Sequence, residues 1–95
     1  MHGYAKDKEA LTKRLHRIEG QVRGIERMIE EDRYCIDVLT QIAAVETALE
    51  AVASKVLEDH VSHCVAGALA SGDEVEATAK TEELIAAVNR FVRTR

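Results

Sequence analysis

The sequence predicts an all-α protein of three helices. Proline is absent from its 95 residues, and the five glycines leave long stretches without a helix breaker. Apolar residues recur three or four positions apart in three segments, which indicates helices with one apolar face each. Neither the alternating pattern of strands nor an internal repeat is found, so we expect a single helical domain over residues 1–95.

The first helix is predicted over residues 7–30, where spacings of four and three alternate between apolar positions. The polar residues 30–33 end it, and Asp32 is expected to be the N-cap of the next helix. The apolar positions of this first face are Leu11, Leu15, Ile18, Val22, Ile25 and Ile29.

The second helix is predicted over residues 34–66, a stretch without glycine or proline. Ser71-Gly72-Asp73 then indicates a turn, and a third helix is expected over residues 74–93. The residues of this third helix predicted to face inward are Ala77, Thr81, Leu84, Ile85, Val88, Phe91 and Val92.

The second helix has an apolar face that is too wide for one short neighbour to cover. Aromatic residues make up only 3% of the chain, so small aliphatic side chains must supply the core. A domain of this size also buries a smaller share of its surface than a larger one. We therefore predict an antiparallel four-helix-bundle dimer, with which a tetramer is compatible.

Histidine and cysteine are spaced for a metal site near the end of the second helix. His60 and Cys64 lie four residues apart and share a helix face, although a buried cysteine beside a partly exposed histidine explains this pair equally well. Cys35 lies 25 residues before His60, which is about 37 Å along a straight helix. An antiparallel second chain brings Cys35 beside the other two residues, and a two-fold interface does so twice.

Two thiolates and one imidazole suit a soft ion, which makes Cu(I) the first choice of cofactor. Zinc requires a fourth ligand, which His63 or water can supply. Nickel and cobalt favour more nitrogen and oxygen ligands, for which His2 is the remaining candidate.

Charge is distributed unevenly along the chain. The net charge is −4, yet residues 1–30 carry seven basic and five acidic side chains, so the remainder carries −6. Most charge runs are solvated surface, but arginine and glutamine also bind phosphates and base edges of double-stranded DNA. The candidate DNA-binding residues on the first helix are Lys13, Arg14, Arg17, Gln21 and Arg23.

Several classes of function are disfavoured. No apolar run is long enough to cross a bilayer and no secretory leader is found, so we expect a cytoplasmic protein without a membrane partner. In a reducing cytosol the two cysteines are expected to be thiols or metal ligands. No nucleophile–base–acid set and no phosphate-binding glycine loop is present, which argues against an enzyme and a small-molecule substrate.

Longer motifs accompany these residues: Arg-Leu-His-Arg-Ile-Glu-Gly-Gln-Val-Arg-Gly over residues 14–24, Tyr-Cys over residues 34–35 and Gln-Ile-Ala-Ala-Val over residues 41–45. Together with His60 and Cys64, they make residues 5–93 resemble the copper-sensitive operon repressor family of bacterial regulators. The resemblance implies a three-helix protomer, a four-helix-bundle dimer and a homotetramer made of two dimers. It also implies that the metal-free protein binds operator DNA and that the Cu(I) form releases it, so that copper-efflux genes are transcribed.

The resemblance also assigns roles to individual positions. Cys35 of one protomer resembles a copper ligand shared with His60 and Cys64 of the other. Tyr34 matches a position beside the ligands, and Glu83 is our choice for the glutamate that hydrogen-bonds the histidine.

The DNA-contacting region of the family covers Lys13, Arg14 and Arg17. Some members also carry a basic residue in the middle of the second helix. Here residue 51 is alanine, and Lys55 is the nearest basic candidate.

Other functions remain open within this pattern. Relatives in the superfamily sense nickel or cobalt, formaldehyde, or persulfide; Cys64 argues against the first two, and His60 argues against the third. A copper-buffering bundle without a DNA role is the alternative from another class.

Overall fold

The computed structural model of the protein describes residues 3–93, with every side chain in that range except those of Val65, Val92 and Arg93. No strand occurs within these residues, which confirms the all-α fold. None of the described helices has the length and apolarity that a membrane span requires. The helices are α1 (Lys8–Glu30), α2 (Cys35–His60), α3 (Ala66–Ala70) and α4 (Glu74–Arg93), with a 3-10 turn at Gly3–Asp7 and a π-helical turn at Val61–Val65.

The second helical segment occupies nearly the residues predicted for it, about 34–66, and differs only at its ends. It begins at Cys35, and α2 passes at His60 into the π-helical turn, which continues into α3 as far as Ala70. A π turn has i→i+5 hydrogen bonds and needs no glycine or proline, so the sequence pattern gives no sign of it. The first helix likewise begins at Lys8 rather than at residue 7, because a 3-10 turn precedes it.

The turn between α1 and α2 is closed by a Schellman motif. The amide of Asp32 donates to the carbonyl of Ile29 (3.1 Å), and the amide of Arg33 donates to that of Met28 (2.9 Å). Asp32 has φ +54°, a left-handed conformation that aspartate tolerates better than most residues. The predicted role of Asp32 as N-cap of the second helix is therefore wrong, because its backbone ends α1 instead.

The turn between α3 and α4 confirms the break predicted at residues 71–73. Gly72 adopts φ +77°, where a side chain is disfavoured. The Asp73 carboxylate accepts hydrogen bonds from the amides of Val75 (3.0 Å) and Glu76 (3.2 Å), so Asp73 is the N-cap of α4. The two side-chain bonds define where the last helix begins.

The chain comprises two compact units, and the single-domain organisation stays a prediction. The first unit, Lys6–Lys55, contains α1 and most of α2. Leu11, Ile18 and Val45 are buried in it. On the same stripe of α1, however, Leu15 and Val22 are each 41% exposed, so much of the predicted apolar face lies open within one chain.

The second unit contains residues 3–5 and 56–93 of the described chain. In it α4 packs against α3 and the π-helical turn, and Ala68 is buried. Of the inward positions predicted for the last helix, Ala77, Leu84 and Val88 are half-buried. Thr81, Ile85 and Phe91 are exposed in the single chain, and the side chain of Val92 lies outside the described residues.

Candidate metal centre and nucleic-acid face

Cys35 is the first residue of α2. It lies two residues after the end of the Schellman turn at Arg33, and its thiol is free and exposed. The carbonyl of Tyr34 accepts the amide of Val38 (3.2 Å), the first bond of the helix, so the backbone at this end is well defined. Tyr34 is 65% exposed, which leaves the surface beside Cys35 open to contact with another chain.

His60 and Cys64 lie on either side of the change from α- to π-helix. His60 is the last residue of α2, and Cys64 is the fourth residue of the π-helical turn. Both side chains are half-buried, and the Cys64 thiol is free. One imidazole and one thiol are thus held about one turn apart on a wide helical turn, a type of segment that is frequent at functional sites.

The backbone beside His60 is packed closely by the 3-10 turn at the start of the chain. A Cβ atom built on Gly3 would lie 2.5 Å from the carbonyl oxygen of Asp59 and 3.0 Å from the Cα atom of His60. Only glycine fits at this approach. Asp59 itself is 3% exposed, so the C-terminal end of α2 is more enclosed than its N-terminal end. Nothing in the sequence near Gly3 signals this contact.

Within residues 3–93, no three histidine, cysteine or acidic side chains come together as a group that could hold a metal ion. His60 and Cys64 therefore provide at most part of a site within one chain. His63, the candidate fourth ligand for zinc, is exposed on the π-helical turn. His2, the candidate for a nickel or cobalt site, lies outside the described residues.

Glu83, the predicted hydrogen-bond partner of the histidine, lies on α4. Its carboxylate is 3.6 Å from the ammonium of Lys80, a pair three residues apart on the same helix, and it is more than half exposed. The interaction of Glu83 with His60 stays a prediction.

The basic residues of α1 are all exposed, but they do not form one face. Arg14, Arg17 and Gln21 are spaced three and four residues apart and share one side of the helix, which Lys13 adjoins. These four residues form a surface that we call the basic face. Arg23 is not part of it, because it lies nine residues from Arg14, roughly 180° around the helix.

Ion pairs separate these residues further. The Lys13 ammonium is 3.6 Å from the carboxylate of Glu9, and the Arg23 guanidinium is 3.9 Å from that of Glu19. Within the part of the chain that the structure describes, Arg14 and Arg17 make no ion pair, so their guanidinium groups are available to phosphates. Arg23 instead lines an open groove on α1, together with Leu15, Ile18, Glu19, Val22 and Glu26.

Lys55, the nearest basic candidate in the second helix, has an acidic neighbour from another part of the chain. Its ammonium is 3.5 Å from Oδ2 of Asp7, the residue that precedes α1. The sequence gives no sign of this pair, because nearly half the chain separates its two members.

Comparison with known proteins adds a family and several relatives. The sequence profile of a family described as "Metal-sensitive transcriptional repressor" matches residues 7–90. The chain is 57% identical over 93 residues to the copper-sensing transcriptional repressor RicR of Mycobacterium tuberculosis, covering 98% of this chain and 96% of the relative. It is 50% identical over 93 residues to the copper-sensing transcriptional repressor CsoR of Bacillus subtilis, covering 98% and 89%.

Two solved structures are similar in fold. One is the copper-sensing repressor CsoR with Cu(I) from Geobacillus thermodenitrificans, at a TM-score of 0.84 and 44% identity, covering 92% of this chain and 88% of that one. The other is the nickel-responsive transcriptional regulator InrS, at a TM-score of 0.77 and 42% identity, covering 87% and 90%.

Proposed function

The chain belongs to the family of metal-sensitive transcriptional repressors, and we propose that it represses transcription in response to Cu(I). In this proposal the metal-free protein binds operator DNA in the cytoplasm and the Cu(I) form releases it. The observation that carries the choice of metal is the donor set: two thiols and one imidazole are the side chains that Cu(I) prefers. The similarity to the copper-sensing repressors RicR and CsoR supports the same choice.

We infer that Cys35 of one protomer shares the ion with His60 and Cys64 of a second. The α2 helix has Cys35 and His60 as its first and last residues, so the two are about 37 Å apart along one helix. A pair of α2 helices packed antiparallel about a two-fold axis removes this separation and creates two equivalent sites. Cys35, His60 and Cys64 would hold the ion, and Cu(I) would supply a soft cation that favours thiolate ligands.

Exposed apolar side chains support the dimer in this proposal. On α2, Ile36, Leu39 and Leu49 are each about half exposed, although a soluble helix normally buries such residues. A second copy covers them in a four-helix bundle, and a dimer of dimers covers what remains. The metal site and the dimer are thus one hypothesis, since the site is incomplete without the second chain.

The residues of the chain have distinct tasks in this mechanism. In the metal-free protein, the basic face of α1 binds DNA phosphates, and symmetry repeats the face on each protomer. When Cys35 and the His60–Cys64 pair hold one ion, the ends of two α2 helices are tied together. The α1 helices then lose the spacing that the operator requires. Tyr34 and Glu83 are proposed to orient the ligands, Glu83 by accepting a hydrogen bond from His60.

A titration that compares three metal ions under the same conditions tests this function. Operator affinity is measured by fluorescence anisotropy at fixed salt, on DNA from upstream of the gene, with Cu(I), Ni(II) or Zn(II). We expect Cu(I) to weaken operator binding at a lower metal concentration than Ni(II) or Zn(II) does. Reciprocity requires DNA to weaken Cu(I) binding by the same factor. Unchanged operator affinity with Cu(I) contradicts the proposal.

Complementation between two variants tests the shared site. Homodimers of Cys35→Ala and of Cys64→Ala each lack one ligand in both sites. A heterodimer of the two retains one complete site, because one chain supplies Cys35 and the other supplies His60 and Cys64. We expect mixing to restore one tightly bound Cu(I) per heterodimer. If mixing restores none, the ligands do not come from two chains.

A nickel sensor is the second candidate, because InrS is also similar in fold and sequence. The two functions differ in donor chemistry: nickel favours a histidine-rich set, whereas this chain has Cys64 at the four-residue spacing. If Ni(II) releases DNA at concentrations where Cu(I) does not, the nickel assignment replaces the copper one. A copper-buffering bundle instead predicts DNA binding that is non-specific and collapses with salt.

A further inference from the structure

Asp7 and Lys55 form an ion pair between two different helical segments. The Nζ–Oδ2 distance is 3.5 Å, and the side chains are only 34% (Lys55) and 27% (Asp7) exposed. The pairs of Lys13 with Glu9 and of Arg23 with Glu19 differ in both respects: each joins residues four apart on α1, and each is more than 60% exposed. Screening by solvent is therefore weaker at the Asp7–Lys55 pair.

Asp7 occupies a position where aspartate usually has another task. It is the N-cap residue of α1, where its carboxylate is expected to accept an amide hydrogen bond from the first turn. No such cap bond is made, and the buried Oδ2 atom lies 3.5 Å from the ammonium of Lys55. The carboxylate thus serves a contact with α2 rather than the start of its own helix.

The pair joins two helical segments that each carry residues of the proposed function. Asp7 precedes the basic face, which begins at Lys13 in the second turn of α1. Lys55 lies on α2, five residues before His60. An ion pair at this place fixes the first turn of α1 on the helix that carries the metal ligands.

We propose that Asp7 and Lys55 are a positioning pair for DNA binding: Lys55 acts through Asp7 to hold the start of α1, rather than by contacting DNA. This inference rests on the proposed function for its readout. It assigns Lys55 a task different from that of a basic residue that binds phosphate, and it adds Asp7, an acidic residue, to the groups that favour DNA binding.

The two roles of Lys55 predict opposite effects of removing Asp7. If Lys55 contacts phosphate, then Asp7→Asn releases a cation and strengthens DNA binding. If the pair positions α1, then Asp7→Asn weakens DNA binding even though it removes a negative charge. Asparagine is also a good N-cap residue, so the variant keeps the start of α1 intact.

The test measures operator affinity of the metal-free, full-length protein for Asp7→Asn, Lys55→Met and the double variant. Methionine keeps the aliphatic length of Lys55. We expect each single variant to weaken binding about 3- to 10-fold, within the range known for residues that modulate a distant site. The double variant should lose less than the sum of the two single losses, because both substitutions remove the same pair. Tighter or unchanged binding by Asp7→Asn, or additive losses, overturns the inference.

Salt dependence gives a second readout. A lysine that contacts phosphate contributes to the slope of log affinity against log salt, and its loss lowers that slope by about 1. We expect Lys55→Met to leave the slope unchanged, whereas Arg17→Gln on the basic face should lower it. A lowered slope for Lys55→Met overturns the inference.

A control variant separates the effect of losing the Asp7–Lys55 pair from the effect of changing the net charge. Glu82→Gln, on the exposed surface of α4, changes the net charge by the same amount as Asp7→Asn. It should bind the operator no more weakly than the unmodified protein.

Failure of the unmodified protein to bind an operator contradicts the proposed function. In that case a double-mutant cycle on the free energy of unfolding still measures the pair, and a zero coupling energy there overturns the inference.

Discussion

The two ends of α2 carry the candidate metal ligands, but they are built differently. At the first end, the hydrogen bonds of the Schellman turn and of Tyr34 fix the backbone, and Cys35 is exposed on the first turn. At the other end the helix widens into a π turn, and Gly3 and the buried Asp59 enclose the backbone beside His60.

This difference indicates how the two halves of a shared site are suited to their tasks. A single exposed thiol on a fixed backbone is easily reached by a second chain. A histidine just before a π turn and a cysteine within it can adjust together, because π turns depart from the regular α-helical hydrogen bonding that would fix their relative position. We therefore expect a substitution at Cys35 to remove only a metal ligand. A substitution at His60 or Cys64 should also disturb the local helix structure.

The largest expected effects come from removing the ligand at either end. Cys35→Ala and Cys64→Ala should each lower Cu(I) affinity by more than about 100-fold, since the loss of a ligand exceeds the effect of losing an outer partner. Operator binding by the metal-free protein should persist, because neither residue lies on the basic face. Titration against a Cu(I) chelator measures the affinity. Ser62→Ala, on the π turn, is the matched control, and a comparable loss there contradicts the ligand assignment.

A methyl group at the enclosed end should disturb the packing beside His60. Gly3→Ala places a Cβ against the backbone of Asp59, and overpacking of this kind costs about 1 kcal/mol or more. Hydrogen exchange should show faster exchange in the 3-10 turn and at the end of α2. Gly67→Ala is the control, because a Cβ there meets nothing within 4 Å. It should stabilise α3 slightly. Equal effects of the two changes contradict the close approach at Gly3.

The N-cap residue of α4, Asp73, can be replaced to test its contribution to stability. Asp73→Ala should destabilise the protein by about 1 kcal/mol, because the amides of Val75 and Glu76 lose their acceptor. Urea unfolding measures the change. Asp73→Asn retains the acceptor and should cost less than half as much; an equal cost for the two variants shows that the cap contributes little.

The smallest effect is expected at the turn before the first end. Asp32→Gly should stabilise the protein by about 0.5 kcal/mol, because glycine accepts a positive φ without steric cost. Asp32→Ala should instead destabilise it. Thermal unfolding distinguishes the two signs. A loss of stability with glycine means that the Asp32 side chain contributes something beyond its backbone conformation.

The sequence predicts much of this fold because its signals are local. The spacing of Leu11 and Ile18 gives the buried side of α1, and Gly72 gives the last turn, since each depends on a few neighbouring residues. The π turn is not predictable, because residues 61–65 have no breaker that would mark it in the sequence. The prediction for Asp32 names the wrong helix, because a polar residue between two helices fits either the end of one or the start of the next.

The candidate site divides in the same way. Cys35, His60 and Cys64 are found from residue type and spacing, and their joint role stays a prediction. The pair of Asp7 and Lys55 and the approach of Gly3 to Asp59 depend on contacts between residues far apart in sequence, which no periodic pattern encodes. The apolar pattern overestimates burial at two further positions of α1, Leu15 and Val22, because one chain offers too little apolar surface to cover both.

The π turn also has a consequence for how this region tolerates insertions and deletions. A π turn holds one residue more than an α-helical turn, so residues 61–65 carry an extra residue relative to a regular helix. Deleting Ser62 would let a regular α-helix form, and it would leave His60 and Cys64 three residues apart instead of four, about 60° around that helix. The spacing of the two ligands and the irregular turn are therefore a single property of the sequence, and neither can change by one residue without the other.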